Sequence, residues 1–166
     1  MFNVGSVTGI QFRGGVFHNV ITDIDTRDSE SVRCGIAAGG QSVGQCNVFL
    51  GCYTGQYASP TAAVFIGGYA GGQSTADESV VVGTAAGPYS TGNRTVILGA
   101  YAGASNASAD SVFVGAYAGA QETLTGPGHV VIGAGAGSNA TGAGWADTVV
   151  GFLAGSDSVA TLGRGR

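Results

Sequence analysis

The sequence contains few charged residues and no lysine. Its six basic residues are all arginine, and charged side chains make up 10% of the chain, where an average soluble domain has about 25%. The net charge of −4 has the wrong sign for a protein that binds the nucleic-acid backbone, so we expect no nucleic-acid partner. So little charge also leaves little repulsion between molecules, which favours a protein that associates with itself.

Long apolar runs are also missing. No stretch approaches the about 18 apolar residues of a membrane-spanning helix, and residues 1–5 lack the basic start of a signal peptide. We therefore expect a protein that is made and kept in a cytoplasm or released by lysis, and that does not insert into a membrane.

Cysteine and histidine are too scarce to predict a metal site or a catalytic site. Cys34, Cys46 and Cys52 include no C-x-x-C pair, and His18 and His129 do not complete a four-ligand zinc set. We interpret the cysteines as small buried thiols, with an intermolecular disulfide as the alternative, and His129 as a polar residue at a strand edge. His18 has no identifiable carboxylate or nucleophile partner. We expect no cofactor, no metal and no catalytic residue, and hence no enzyme.

Two other features allow a functional interpretation and a structural one. Residues 23–30 begin with Asp-x-Asp like a calcium loop, but Asp28 stands where that loop needs glycine and Cys34 where it needs glutamate. We interpret this segment as a solvated linker. Trp145, the only tryptophan, lies in a glycine-rich loop, where we favour local packing and keep stacking on a sugar as the alternative.

Glycine is abundant instead, with 32 residues, and much of it belongs to a phrase that occurs eight times. Each repeat has an apolar triplet, an anchor glycine, two variable residues, a small residue and a second glycine. The anchors recur every sixteen positions as far as Gly115, and the last two steps are two positions longer. Such a period indicates stacked supersecondary units, that is, a solenoid. The anchors are Gly35, Gly51, Gly67, Gly83, Gly99, Gly115, Gly133 and Gly151.

The apolar triplets predict short strands with two different faces. The outer residues of each triplet share one face, and we assign these uniformly aliphatic or small residues to the interior of a narrow coil. The middle residue points the other way and is almost always apolar. Because a strand that is apolar on both faces is buried on both, the middle column predicts an oligomer interface between copies of the chain. This column contains Phe49, Phe65, Val81, Ile97, Phe113, Val131 and Val149.

The glycines and the polar segments complete the predicted turn and the domain organisation. Two tight corners at the glycines, a second short inward strand between them and a polar return would fill the rest of each repeat. The repeat domain covers residues 31–163. Residues 1–30 do not fit the repeat and are predicted to cap or dock it, and residues 164–166 to form a frayed tail. One column of the corner is predicted to stack as an edge ladder; it contains Tyr53, Tyr69, Tyr101 and Tyr117.

The phrase V-F-(L/I/V)-G-x-Y-A-G, seen best in residues 64–71, 96–103 and 112–119, resembles the β-roll repeats of bacteriophage tail-fibre and other virion proteins. More distantly it is similar to the head domains of trimeric autotransporter adhesins. The resemblance implies an all-β, left-handed parallel β-roll solenoid of about eight turns that assembles as a homotrimer. It carries over no catalytic residue.

The same resemblance implies a structural virion protein. We expect a tail-fibre or tail-tip adhesin for host attachment, located in the virion, docked to other virion proteins through residues 1–30 and with a host-surface glycan as a candidate partner. A trimeric capsid decoration (cement) protein is the alternative, and a fragment of a bacterial surface adhesin is a further one. An autotransporter would be expected to have a signal peptide, a stalk and a membrane anchor.

Three solenoid proteins of other classes fit the sequence less well. A hexapeptide acyltransferase repeats its apolar residue about every six positions, which this chain does not do. A polysaccharide-degrading spike needs paired carboxylates, and Asp77, Glu78 and Asp110 form no obvious pair. An ice-binding solenoid would show a threonine column, but the threonines here are scattered.

Overall fold

The protein forms a β-solenoid, as seen in a computed structural model that describes residues 31–120, 123–124, 126–142 and 147–156. Eight parallel strands build about seven turns, and no helix occurs in these ranges. The predicted all-β solenoid is therefore confirmed at this level. Several predictions lie outside the described residues, namely those for residues 1–30 with His18, for Trp145 and for the tail 164–166.

Each apolar triplet becomes one short strand of a single sheet. These strands are β1 (Val32–Cys34), β2 (Val48–Leu50), β3 (Val64–Ile66), β4 (Val80–Val82), β5 (Val96–Leu98), β6 (Val112–Val114), β8 (Val130–Ile132) and β10 (Thr148–Val150). They follow one another across the sheet in sequence order. Two further strands, β7 (Thr123–Leu124) and β9 (Thr141–Gly142), form a separate two-stranded sheet.

The register confirms that one sequence repeat is one turn. Phe65 of β3 lies directly between Phe49 and Val81 of the neighbouring strands, and all pairs are parallel. The last two pairings keep the same alignment although the repeat is longer there. These longer turns carry the β7–β9 pairing, in which Thr123 lies opposite Thr141, so the additional residues are absorbed in the return segment rather than in the strands.

The face of each strand that points into the coil is the opposite of the one predicted. The middle residues of the triplets, led by Phe49, Phe65 and Phe113, are 0–1% exposed from β2 to β8, and Val149 packs partly buried against them. They form the core of a single chain, so the assignment of Phe49, Phe65, Val81, Ile97, Phe113, Val131 and Val149 to an oligomer interface is wrong. The coil holds only one large apolar side chain per turn, and the outer residues of each triplet consequently face outward.

The second glycine of each repeat makes room for this interior side chain. At Gly71 an added Cβ would collide with the ring of Phe65, and at Gly55 with the ring of Phe49. The small residue before it is also buried, as Ala70 is in this repeat. The wall of the coil opposite the strand therefore consists of alanine and glycine in this repeat, because the middle residue of the strand already fills the interior.

The anchor glycine has a different role, which concerns the backbone. Gly67 has a φ of 127°, and an added Cβ would collide with the carbonyl group of Gly83 one turn away. The segment between the two glycines is a turn in all eight repeats. The second short inward strand predicted there is therefore wrong, because its residues make a tight corner instead.

Because the interior is filled to different degrees in two neighbouring turns, the same Gly→Ala substitution should destabilise the protein by different amounts. We expect Gly71→Ala to lower the free energy of unfolding by about 1–3 kcal/mol more than Gly87→Ala, because overpacking a filled interior costs about that much. Both glycines have positive φ, 62° and 50°, so the backbone penalty is shared. An added Cβ at Gly87 would lie 3.1 Å from Ile97 and 3.4 Å from Val81. Chemical denaturation of both variants measures the difference, and equal costs would contradict the inward orientation of Phe65.

Candidate functional site

The first candidate surface is the outward side of the eight-stranded sheet, which we call the apolar strand face. It consists of the outer triplet residues Val32, Cys34, Val48, Leu50, Val64, Ile66, Val80, Val82, Val96, Leu98, Val112, Val114, Val130, Ile132, Thr148 and Val150. None of these side chains is buried; most are half-buried, and Val32 and Val150 are 58% and 62% exposed. Successive turns are about 4.8 Å apart, so the face extends about 34 Å along the coil. A continuous uncharged apolar strip of this kind is typical of an interaction surface.

A polar ladder runs through the interior beside the strands. In several turns, the side chain of the residue before the triplet accepts a hydrogen bond from the backbone N–H of the equivalent residue one turn on. The bonds are Asn47 N–H to Ser31 Oγ (3.0 Å), Ala63 N–H to Asn47 Oδ1 (2.8 Å), Thr95 N–H to Ser79 Oγ (3.1 Å) and His129 N–H to Ser111 Oγ (3.0 Å). Each bond satisfies a backbone donor that would otherwise be buried without a partner.

His129 belongs to this ladder and is fully buried. Its prediction as a polar residue at a strand edge is therefore wrong. The Nδ1 atom accepts from the backbone N–H of Asp147 at 3.4 Å and lies 3.8 Å from a carboxylate oxygen of that residue. Nε2 makes no hydrogen bond to the described residues. The contacts of His129 connect two turns of the interior.

All three cysteines are exposed, so the prediction of small buried thiols is also wrong. Cys34 occupies an outer triplet position, and such positions face outward once the middle residue fills the coil. Cys52 directly follows an anchor glycine, on the outside of the corner. Within the described ranges, no group of three or more His, Cys, Asp or Glu side chains is placed to hold a metal ion.

Charged residues follow one another in the column five positions before the anchor glycine. Glu78, Arg94 and Asp110 lie in successive turns, and Arg94 binds Asp110 through two contacts, Nε–Oδ1 at 2.6 Å and Nη2–Oδ2 at 2.9 Å. Hydrogen bonding to the Arg94 guanidinium lowers the pKa of Asp110, and the same bond raises the pKa of Arg94. Asp110 is thus engaged by a cation, in an exposed ion pair between two turns.

The tyrosine column at the corner stacks as predicted. The rings of Tyr53 and Tyr69 lie 5.1 Å apart with an interplanar angle of 10°, and those of Tyr101 and Tyr117 lie 5.1 Å apart at 6°. Ala85 separates the two pairs. The ring spacing follows the distance between turns, so the solenoid itself holds the rings face to face.

The tyrosines of this column share a backbone conformation that is uncommon for residues other than glycine. Tyr53, Tyr69, Tyr101 and Tyr117 have φ values of 57–60°. Hydrogen bonds between turns hold them there: the backbone N–H of Tyr69, for example, donates to the carbonyl of Cys52 at 3.0 Å. Backbone strain of this kind persists only where the surrounding structure over-determines it.

A second column, which contains Tyr57, Gln73 and Tyr89, lies beside the stacked pair of Tyr53 and Tyr69. The two columns line an open groove, which we call the tyrosine groove. Its volume is about 150 Å³. The side chains that line it are Tyr53, Gln56, Tyr57, Tyr69, Gln73 and Tyr89, and Gly72 and Pro88 complete the lining. No charged residue is among them. The column of Tyr53 was predicted from the sequence but the groove was missed, although Tyr57, Gln73 and Tyr89 also recur once per repeat.

Comparisons with known proteins add no relative to this geometry: no family model, no curated protein and no solved structure matches the chain. Across the described part of the chain, no helix is long and apolar enough to cross a membrane. The candidate sites therefore depend on the residues themselves.

The Arg94–Asp110 contact predicts a titration that can be measured directly. We expect the pKa of Asp110 to lie below the usual value of about 3.9 and to rise toward it in Arg94→Ala. Since the folded-state pKa is the lower one, the pair stabilises the fold above the unfolded-state pKa and stops doing so as the pH falls through the folded-state pKa. Carboxyl-detected NMR titration measures the shift, with Thr91→Ala as a control that leaves the ion pair intact. If the pKa of Asp110 is the same in the wild type and in Arg94→Ala, the prediction that Arg94 lowers this pKa is wrong.

Proposed function

We propose that this protein is a structural virion component that assembles as a homotrimer through the apolar strand face and serves as a tail-fibre or tail-tip adhesin. The main observation in favour of assembly is the apolar strand face, an uncharged strip of partly exposed aliphatic side chains. The resemblance of the repeats to virion β-rolls supports the location and the left-handed coil. The exposed tyrosines of the corner support a role in attachment.

The energetic argument for assembly concerns the second face of a parallel sheet. Parallel sheets are almost always covered on both faces, and here the coil covers only the inner one. Fully burying a valine, leucine or isoleucine side chain contributes about 1.5–3 kcal/mol, and the outer triplet residues are already partly buried in one chain. Burying the remainder over seven or eight turns gives a total that is large compared with the loss of rotational and translational freedom on association.

The arrangement of the face in two columns supports three subunits rather than two. The residue three positions before the anchor glycine forms one column and the residue directly before it forms the other. In a ring of three, each subunit contacts two neighbours through different patches, so each column can contact one neighbour. A ring closes and leaves no apolar edge open, whereas an open arrangement of the same contact would continue as a filament.

Docking to other virion proteins through residues 1–30 is part of the same proposal and is tested separately. Deleting residues 1–30 should leave the trimer intact but remove the protein from purified particles. Loss of the trimer in this deletion would assign the segment to assembly instead.

The assembly test uses two positions on the apolar strand face that tolerate a charge in the single chain. Val80 and Ile132 are 37% and 38% exposed. We expect Val80→Asp with Ile132→Asp to reduce the association constant by more than about a hundredfold, because an unpaired charge is costly to bury. Light scattering should give three times the 16.2 kDa mass of the chain for the wild type and a single chain for the variant.

The control is Thr91→Asp, which adds one aspartate of the same kind at an exposed position in a return segment. It should leave the mass unchanged, and circular dichroism should show the same β-content in all three proteins. An unchanged mass in the double variant would refute assembly through this face.

The virion location has its own test, electron microscopy of particles labelled with an antibody against this chain. We expect labelling at the tail. Labelling over the capsid surface would instead identify a decoration protein, and particles without label would refute a virion role.

A further inference from the structure

The tyrosine groove combines two kinds of chemistry in one small space. Its aromatic rings are largely exposed, with Tyr57, Tyr69 and Tyr89 at 54–56%, and the amides of Gln56 and Gln73 lie among them. Tyrosine supplies an apolar ring with a polar tip, and exposed tyrosines clustered in a concave site are typical of binding surfaces. Nothing in the polypeptide's own packing requires these residues at the corner.

We propose that the tyrosine groove binds the ring of a neutral sugar. The inference deepens the attachment role proposed above and depends on it for its biological meaning, although the binding itself can be measured alone. The C–H groups on one face of a pyranose ring carry partial positive charge and suit the negative face of an aromatic ring. The hydroxyl groups at its edge need donors and acceptors, which the glutamine amides and tyrosine hydroxyls supply.

The absence of charge in the lining indicates a neutral ligand. Recognition of a carboxylate or a phosphate normally uses arginine or lysine. The eight residues that line the groove include neither, and they include no carboxylate that would favour a cationic ligand. A sugar without an ionised group matches the uncharged phenol and amide groups.

The size of the groove limits how much of a glycan it holds. Sites for drug-sized molecules usually have about 300–1,000 Å³, and this groove has about 150 Å³. It therefore accommodates a single ring, either a terminal residue or one unit of a chain that continues into solvent. Because it is open, a longer glycan can pass over Gly72 without meeting a wall.

The groove is preorganised by the solenoid. Tyr53 and Tyr69 are held face to face at 5.1 Å, and hydrogen bonds between turns fix their backbone, for example from the N–H of Tyr53 to the carbonyl of Ile36 at 2.8 Å. Tyrosine also has only two side-chain torsions to order on binding. A site that needs little ordering retains more of its contact energy as affinity.

The other tyrosine pair provides an internal comparison. Tyr101 and Tyr117 stack with the same geometry, but the positions that correspond to Gln56 and Tyr57 are Ala104 and Ser105. This pair therefore has the rings without the counterparts of Gln56 and Tyr57. Binding at the groove and not at this pair would show that stacked rings alone are insufficient.

The test titrates the full-length protein with methyl glycosides of glucose, galactose, mannose, N-acetylglucosamine and rhamnose while the tyrosine ring signals are followed by NMR. Glucuronate and N-acetylneuraminate serve as acidic comparators. A single sugar ring of about a dozen heavy atoms should bind with a Kd of about 1 mM. We expect saturable shifts at Tyr53 and Tyr69 with at least one neutral probe and weaker or no shifts with the acidic ones.

Two variants remove the site without disturbing the fold. Tyr69→Ala should weaken binding about tenfold, and the backbone tolerates alanine there because Ala37 and Ala85 occupy the same column with φ values of 54° and 50°. Gly72→Leu should abolish binding by filling the groove. An added Cβ at Gly72 meets only the Tyr69 carbonyl oxygen, at the ordinary contact distance of 3.6 Å.

The matched control is Tyr117→Ala, which removes one ring of the other pair and should leave the Kd unchanged. The proposal is overturned if no neutral probe gives saturable shifts at the groove, if the acidic probes bind as tightly, or if Tyr117→Ala weakens binding as much as Tyr69→Ala. Light scattering on the same samples separates this proposal from the assembly proposal. A trimer that binds no sugar refutes only the groove, and a single chain that binds sugar refutes only the trimer.

Discussion

The width of the coil interior is the constraint on which the rest of this structure depends. Beside the polar ladder, each turn has room for one large apolar side chain, which the middle residue of the apolar triplet supplies, and the facing wall must then consist of small residues. Phe65 with Ala70 and Gly71 is one such layer. Because interiors are packed as densely as organic crystals, the high glycine content of this chain is a steric requirement of the layers and not a sign of flexibility.

The same constraint determines what the outside of the molecule looks like. Once the middle residue is inside, its two neighbours in the strand must face out, and the coil itself gives no reason for them to be aliphatic. A covering surface would account for their apolar character, and the proposed assembly through the apolar strand face rests on this argument. The corner, by contrast, has polar and aromatic residues at positions that also face out. Each turn therefore has two chemically different surfaces on separate sides, the apolar strand face and the polar and aromatic corner.

Predictions that depend only on spacing are confirmed, because spacing determines register in a stacked fold. The strands at Val64–Ile66 and its equivalents, their parallel alignment and the stacking of Tyr53 on Tyr69 are of this kind. The side of the strand that faces inward could not be obtained in the same way, since alternation defines two faces without saying which is inside. The assignment rested on the uniformly aliphatic or small outer residues, which suit a narrow interior equally well. The polar residues before the triplets share the face of the middle residues, and Asn47 and His129 are buried there because they hydrogen-bond to the next turn.

The groove could not be predicted because it depends on how two columns meet across a corner, and this corner is made by residues in a left-handed conformation. Tyr69, Ala85, Gly135 and Leu153 occupy the same position in different turns with φ values of 50–67°, so hydrogen bonds between turns, and not the side chain, impose the conformation. A backbone that is fixed in this way accepts different side chains without moving. Variation at the corner can therefore change the exposed surface of a turn while the core layer and the strand face stay the same. This separation explains how one repeat, copied eight times, can carry a groove in only some of its turns.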